Sequence, residues 1–155
     1  MLFRSEITKR LQLLKEVLPR MRRVAFLFTL LSPVVLGFTR KSIATAAEAM
    51  KMELHEFEVR EAADFPDAFN AMPRARVDAV VISNEPLLNS HAGTIAGMAA
   101  VKGLPAVGYA SFADTGGLLA YGANRPALYG RVGYFVDRIF KGAKPGDIPF
   151  EQAVK

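Results

Sequence analysis

Apolar and polar residues follow two periods along this chain, and each change of period marks an element. Near the start, Ile7, Leu11, Leu14 and Leu18 recur at the i, i+4, i+7, i+11 spacing of one helical face. Ser5 is placed to cap that helix, which runs to about Val17 and is ended by Pro19. "RRVAFLFTL" is then a continuous apolar run bounded by arginines and by Ser32-Pro33, the pattern of a strand buried on both faces. An alanine-rich helix fits from about Val35 to Lys51, and "ELHEFEVR" sets Leu54, Phe57 and Val59 against charges as a more exposed strand does.

The same grammar repeats. Asp64 is placed to cap "FPDAFNAM", with Pro66 in the first turn, where a missing N–H does no harm. "VDAVVISN" reads as a second buried strand, "EPLLNSHAGTIAGMAAVKG" as a loop passing into a helix that Gly103 ends, and "LPAVGYA" as a short strand. A glycine-rich loop follows, then a helix capped by Asn124 with the stripe Leu128, Val132, Phe135, Val136 and Ile139. Strands alternating with helices imply parallel pairing through right-handed crossovers. The expected fold class is therefore α/β, a three-layer, mainly parallel sheet with helices on both faces. One domain over 1–155 is expected: N-terminal helix (1–21), βα units (22–110), loop (111–124), C-terminal helix (125–141) and tail (142–155).

Composition narrows the function classes. Apolar residues are 51% and charged residues 23%, as in globular chains, and no apolar run reaches the roughly 18 to 20 residues that span a bilayer. The N-terminus shows no apolar h-region and no cleavage site, so the chain taken by itself is expected in the cytoplasm. The absence of cysteine excludes disulfides, thiolate chemistry and Cys-based metal sites. The net charge of +5 is concentrated at the start, where Arg4, Lys9, Arg10, Lys15, Arg20, Arg22 and Arg23 face only Glu6 and Glu16. Such a helix suits anionic lipid or nucleic acid. No aromatic residues interleave with the charges, so a solvated face is the expectation and no nucleic-acid partner is assigned.

No catalytic residue, metal ligand or cofactor is expected. His55 lies in a charged strand and His91 has no acidic partner in register. H-E-x-x-H, G-x-S-x-G, G-x-x-x-x-G-K-[ST] and G-x-G-x-x-G are all missing, and the first strand lacks the acidic residues of a phosphate-accepting receiver. In open parallel sheets, ligands bind outside the carboxyl ends of the strands. That rule selects Thr29–Gly37, Arg60–Asp64, Ser83–His91 and Ala110–Asn124. Their chemistry suits binding: Thr29, Ser32, Ser83, Asn84, Ser111 and Thr115 offer hydroxyls and amides, and Glu85 is the one carboxylate. Tyr109, Phe112 and Tyr121 offer flat apolar area. Capping and turn satisfaction alone also explain Ser32, Asn84 and Asn124.

Four blocks, "KRLQLLKEVLPRMRRVAFLF", "RVDAVVISNEPLL", "KGLPAVGYASFADTGGLLAYGAN" and "YFVDRIFKGAKPGDIPFEQ", resemble in order the ABC-transporter substrate-binding proteins of the tryptophan/tyrosine type. The most specific are "GGLLAYG" and "KGAKPGDIPFEQ", close to that family's G-G-L-M-S-Y-G and K-G-x-K-P-x-D-L-P-V-E-Q. The resemblance runs from about Lys9 to Gln152 and implies a single lobe, the second, of the two-lobed type I periplasmic binding protein fold. It also implies a non-catalytic role in binding a small amino-acid-like or aromatic solute. The implied ligand contacts are Thr29, Ser32, Asn84, Glu85, Tyr109, Ser111 and Tyr121, with Glu85 meeting an ammonium; Gly116, Gly117 and Gly122 would form the interlobe hinge. The location becomes periplasmic, and an ABC permease a partner, if the chain is part of a full-length receptor. Where the family carries N-P-x-N-P this chain has Thr29-Leu30-Leu31-Ser32-Pro33, and "SNEP" replaces S-D-P. The alternative is an interaction domain that homodimerises through Leu30, Leu31, Leu87, Leu88 and Leu119. A flavodoxin-like enzyme, betrayed by a copurifying flavin, is the third option.

Overall fold

Every residue of the run Val24–Phe28 is buried, and its side chains divide by parity between two cores. A computed structural model describes residues 2–29, 33–123 and 125–144. The chain falls into two compact units, Met1–Tyr121 and Gly122–Lys155. In the first, five parallel strands stand in the order β2-β1-β3-β4-β5. They are β1 (Arg23–Phe28), β2 (Glu53–Glu58), β3 (Ala79–Ile82), β4 (Ala106–Gly108) and β5 (Leu119–Ala120). The helices are α1 (Leu2–Val17), α2 (Pro33–Ala49), α3 (Phe65–Arg74), α4 (Pro86–Ser90) and α5 (Ala92–Val101).

On one side of the sheet Val24, Phe26, Phe28, Ala79 and Val81 meet Ile7, Leu11 and Leu14 of α1 and Leu36, Ile43 and Ala47 of α2. On the other, Ala25, Leu27, Val80 and Ile82 meet Phe65, Phe69 and Met72 of α3 and Ile95, Ala96 and Ala99 of α5. This is the three-layer α/β fold with helices on both faces. Burying each large core side chain contributes about 1.5–3 kcal/mol before ordering is subtracted.

Five local expectations need correction. α1 begins at Leu2, so Ser5 lies within the helix and does not cap it. Asp64 makes no side-chain cap for α3; its carboxylate turns back to accept from the backbone N–H of Arg60 (2.7 Å) and Glu61 (3.1 Å), closing a 3-10 turn at Ala62–Asp64. The segment after Ser83 is not a plain loop, because Pro86 starts the short helix α4. Within 111–124, Leu119–Ala120 form the edge strand β5, paired with Val107 and Gly108. In β2, Leu54 and Phe57 are three residues apart, so they point to opposite faces and pack on different cores. Gly103 ends α5 as expected, with φ +63° and Leu104 N–H bonded to Ala99 O at 2.9 Å.

The second unit contains α6 (Arg125–Phe140), on which Tyr129, Val132, Val136, Ile139 and Phe140 are exposed. Arg131 lies over the rings of Tyr134 (4.4 Å) and Phe135 (5.1 Å). The expected Asn124 cap lies outside the described residues, as do Leu30, Leu31, Ser32 and the tail from 145 onward. No helix among the described residues is long and apolar enough to cross a membrane.

Candidate functional site

The strand order places a reversal between β1 and β3: the chain leaves β1 toward one edge of the sheet and leaves β3 toward the other. Diverging loops open a crevice at such a point. Thr29 directly follows β1 and Ser83 directly follows β3, and both are buried. A buried hydroxyl needs a partner, and Ser83 finds one by donating from Oγ to Glu85 Oε1. The backbone N–H of Thr29 donates to the same carboxylate. Glu85 stands at the N-cap of α4 in extended backbone. Burial pushes its carboxyl above the ordinary value, against the opposing pull of Ser83, the Thr29 N–H and the charge of Arg10. Its second oxygen, Oε2, is buried with no hydrogen-bond partner among the described residues.

Arg10 supplies the positive charge. It is 1% exposed on α1, although it belongs to the basic segment expected to be a solvated face. Its Nε donates to the carbonyl of Tyr121 at 2.7 Å and Nη1 to the carbonyl of Ile82 at 3.0 Å. Nη2 lies 3.5 Å from Glu6. One guanidinium thus joins the ends of β3 and β5 to the first helix and sits close enough to Glu85 to affect its titration. Sequence reasoning missed it, though a signal was present. Arg10 lies three residues after Ile7 and four before Leu14, on the apolar stripe itself.

The remaining expected contacts divide. Asn84 and Asn89 are tied together, Asn89 Nδ2 donating to Asn84 Oδ1 at 3.0 Å. Tyr109 is only 7% exposed; its ring packs edge-on against Phe112 (5.9 Å) and its hydroxyl lies 3.2 Å from the carbonyls of Leu88 and Asn89. It and Phe112, which is fully buried, belong to the core and not to an open stacking surface. Ser111 is exposed, and Tyr121 is half-buried with its carbonyl on Arg10. Leu88 is also fully buried, so it cannot belong to an exposed dimer face.

The glycines have separate reasons. Gly116 has φ +102°, a conformation side chains resist, and it ends a 3-10 turn at Ala113–Thr115. Gly117 and Gly108 together make room for Phe112: a Cβ at Gly117 would lie 2.2 Å from its ring, and one at Gly108 2.4 Å. Gly122 opens the second unit.

A family model described as "ABC transporter substrate binding protein" matches residues 4–155. No curated protein matches. A solved structure of an ABC domain in complex with L-Trp, from Streptococcus pneumonia, aligns with TM-score 0.72 and 19% identity over 96% of this chain and 50% of its own. A conserved domain protein from Vibrio cholerae O1 biovar El Tor aligns at 0.74 and 19% over 92% and 48%. The ligand-free, open form of a Clostridium difficile substrate-binding protein with adhesive properties aligns at 0.69 and 15% over 96% and 50%. This chain spans about half the length of each of the three.

Proposed function

The chain belongs to the ABC transporter substrate-binding protein family, a family of non-catalytic binding proteins, and we propose that its first unit is a solute-binding lobe for a small amino-acid-like or aromatic ligand. The observation that carries this reading is the buried Oε2 of Glu85 at the sheet's reversal point, which has no partner among the described residues. A desolvated carboxylate oxygen is a strong acceptor for a ligand ammonium. The Thr29 N–H and Ser83 Oγ hold that carboxylate in place, and Ser32 and Ser111 belong to the same strand-end loops. The relative solved with L-Trp supports the amino-acid class. Tyr121 remains the aromatic side chain suited to a ligand ring, since Tyr109 and Phe112 are spent in the core. Gly116 and Gly122, which flank β5, fit the role of interlobe hinge. In a full-length receptor the lobe would act outside the cytoplasmic membrane and deliver its solute to an ABC permease.

An isolated lobe encloses only part of a ligand, so L-tryptophan is expected to bind at about millimolar Kd, near −4 kcal/mol. Titrating L-tryptophan into isotope-labelled protein should shift the amides of Thr29, Ser83 and Glu85, and Glu85→Gln should abolish the shifts. Unchanged amides at these positions would sink the reading.

One observation favours a second reading, a homodimeric interaction domain without high-affinity ligand binding. The exposed Val132, Val136 and Ile139 recur at three- and four-residue spacing on α6 and form an apolar row. Light scattering on the same samples discriminates: a tight dimer indifferent to tryptophan supports this reading, and a monomer rejects it.

A further inference from the structure

At the amino ends of β1, β2 and β3, opposite the crevice along the strands, lies a basin of about 620 Å³. Arg20, Arg22 and Arg23 enter it from the segment joining α1 to β1, Lys51 from the end of α2, and Arg76 from the end of α3. Two carboxylates share the lining, and both are occupied. Asp78 accepts the backbone N–H groups of Arg22 (2.8 Å) and Arg23 (2.9 Å), while Glu53 accepts from Arg23 Nε at 3.0 Å and lies 2.9 Å from His55 Nε2. Five cations therefore face two committed carboxylates, and Arg20, Arg22, Lys51 and Arg76 have no ion pair among the described residues.

Cations at helix ends also complement the helix dipole, which accounts for Lys51 and Arg76 taken singly. Their left-handed backbone closes the two helix ends, Met52 N–H bonding Ala47 O at 2.8 Å and Val77 N–H bonding Met72 O at 3.4 Å, and what helix closure leaves unexplained is the residue type. Both sit at φ +54°, a left-handed position that favours glycine or asparagine, yet both carry long basic side chains. Neither the dipole nor helix closure accounts for Arg20 and Arg22 converging on the same hollow. The excess of three positive charges in a concave space is the electrostatic form of a polyanion site. Concavity decides the partner. The cations line one shared basin, so a discrete anion can touch several of them at once.

We propose that this basin binds a small polyvalent anion of the phosphoryl class, carrying two or more phosphoryl groups, independently of the solute crevice. Pyrophosphate is the probe. Calorimetry on the whole chain should give one-to-one binding with Kd below about 1 mM at roughly 20 mM salt, weakening several-fold at roughly 200 mM. Arg22→Gln with Arg76→Gln should weaken it at least about tenfold, keep the native far-UV spectrum, and leave the tryptophan-induced shifts of the crevice unchanged. Glu85→Gln should leave pyrophosphate binding intact. Pyrophosphate binding that ignores the double substitution would overturn the proposal. So would a double variant that loses only thermal stability, which is the result for cations that merely offset helix dipoles. Binding of phosphatidylglycerol vesicles with none of pyrophosphate would also overturn it and assign the face to lipid headgroups.

Discussion

Replacing Arg10 with methionine tests the site at its least expected residue. Methionine keeps most of the apolar volume on the α1 stripe but removes the guanidinium that bonds Tyr121 O at 2.7 Å and Ile82 O at 3.0 Å. A hydrogen bond from a charged donor contributes about 1.5–3 kcal/mol, and carbonyls left without their donor add a desolvation cost. Against this, a side chain 1% exposed no longer has to bury a charge. Loss of two such bonds should outweigh that relief, for a net destabilisation of about 3 kcal/mol. For a chain of 155 residues this corresponds to roughly a 10 °C fall in Tm. Urea unfolding followed by circular dichroism reads the difference, with Glu6→Gln as control. Glu6 lies 3.5 Å from Nη2, and Glu6→Gln leaves both carbonyl bonds of Arg10 in place, so it should cost less than Arg10→Met. Removing the guanidinium should also raise the titration midpoint of Glu85, because Arg10 pulls it down. An Arg10→Met protein as stable as the parent, with Glu85 titrating unchanged, would refute the assignment of Arg10 as the clasp of this sheet end.

Gly117→Ala places a Cβ 2.2 Å from the ring of the fully buried Phe112 and 3.0 Å from its backbone oxygen, so it should destabilise by about 1–3 kcal/mol in the same urea assay; a neutral result would show that the Phe112 slot is not tight. Glu85 gives a pH signature. Its folded-state value lies above the ordinary one, so the folded protein binds the extra proton and stability falls as pH rises through that window. Comparing Tm against pH for the parent and Glu85→Gln should show the variant losing less as pH rises from about 4 toward neutrality; parallel curves would mean that Glu85 is not desolvated.

Most of the architecture was legible because β1 and β3 are continuous apolar runs and the helices between them carry regular stripes. The errors share a physical cause. Ser5, Asp64 and Pro86 are residues whose local preference suits either a helix end or its neighbourhood, and at Asp64 the nearby N–H groups of Arg60 and Glu61 take the carboxylate that would have capped α3. β5 is two residues long and carries no periodicity of its own; only its pairing with β4 defines it. At the crevice, hydroxyls and the carboxylate at strand ends could be found from sequence because position alone selects them. What each aromatic does there could not, since burial of Phe112, against which Tyr109 packs, depends on Gly108 and Gly117 leaving room for its ring. Arg10 was hidden by its company: a lone arginine among seven cations looks like solvent charge until its place on the stripe is weighed.

The bond from Arg10 to Tyr121 spans 111 positions, joining the first helix to the residue that closes the first unit. During synthesis the opening segment must therefore wait until almost the whole unit has left the ribosome before its guanidinium can be satisfied. Contacts of such long reach slow folding, since much of the chain has to be ordered before they are gained.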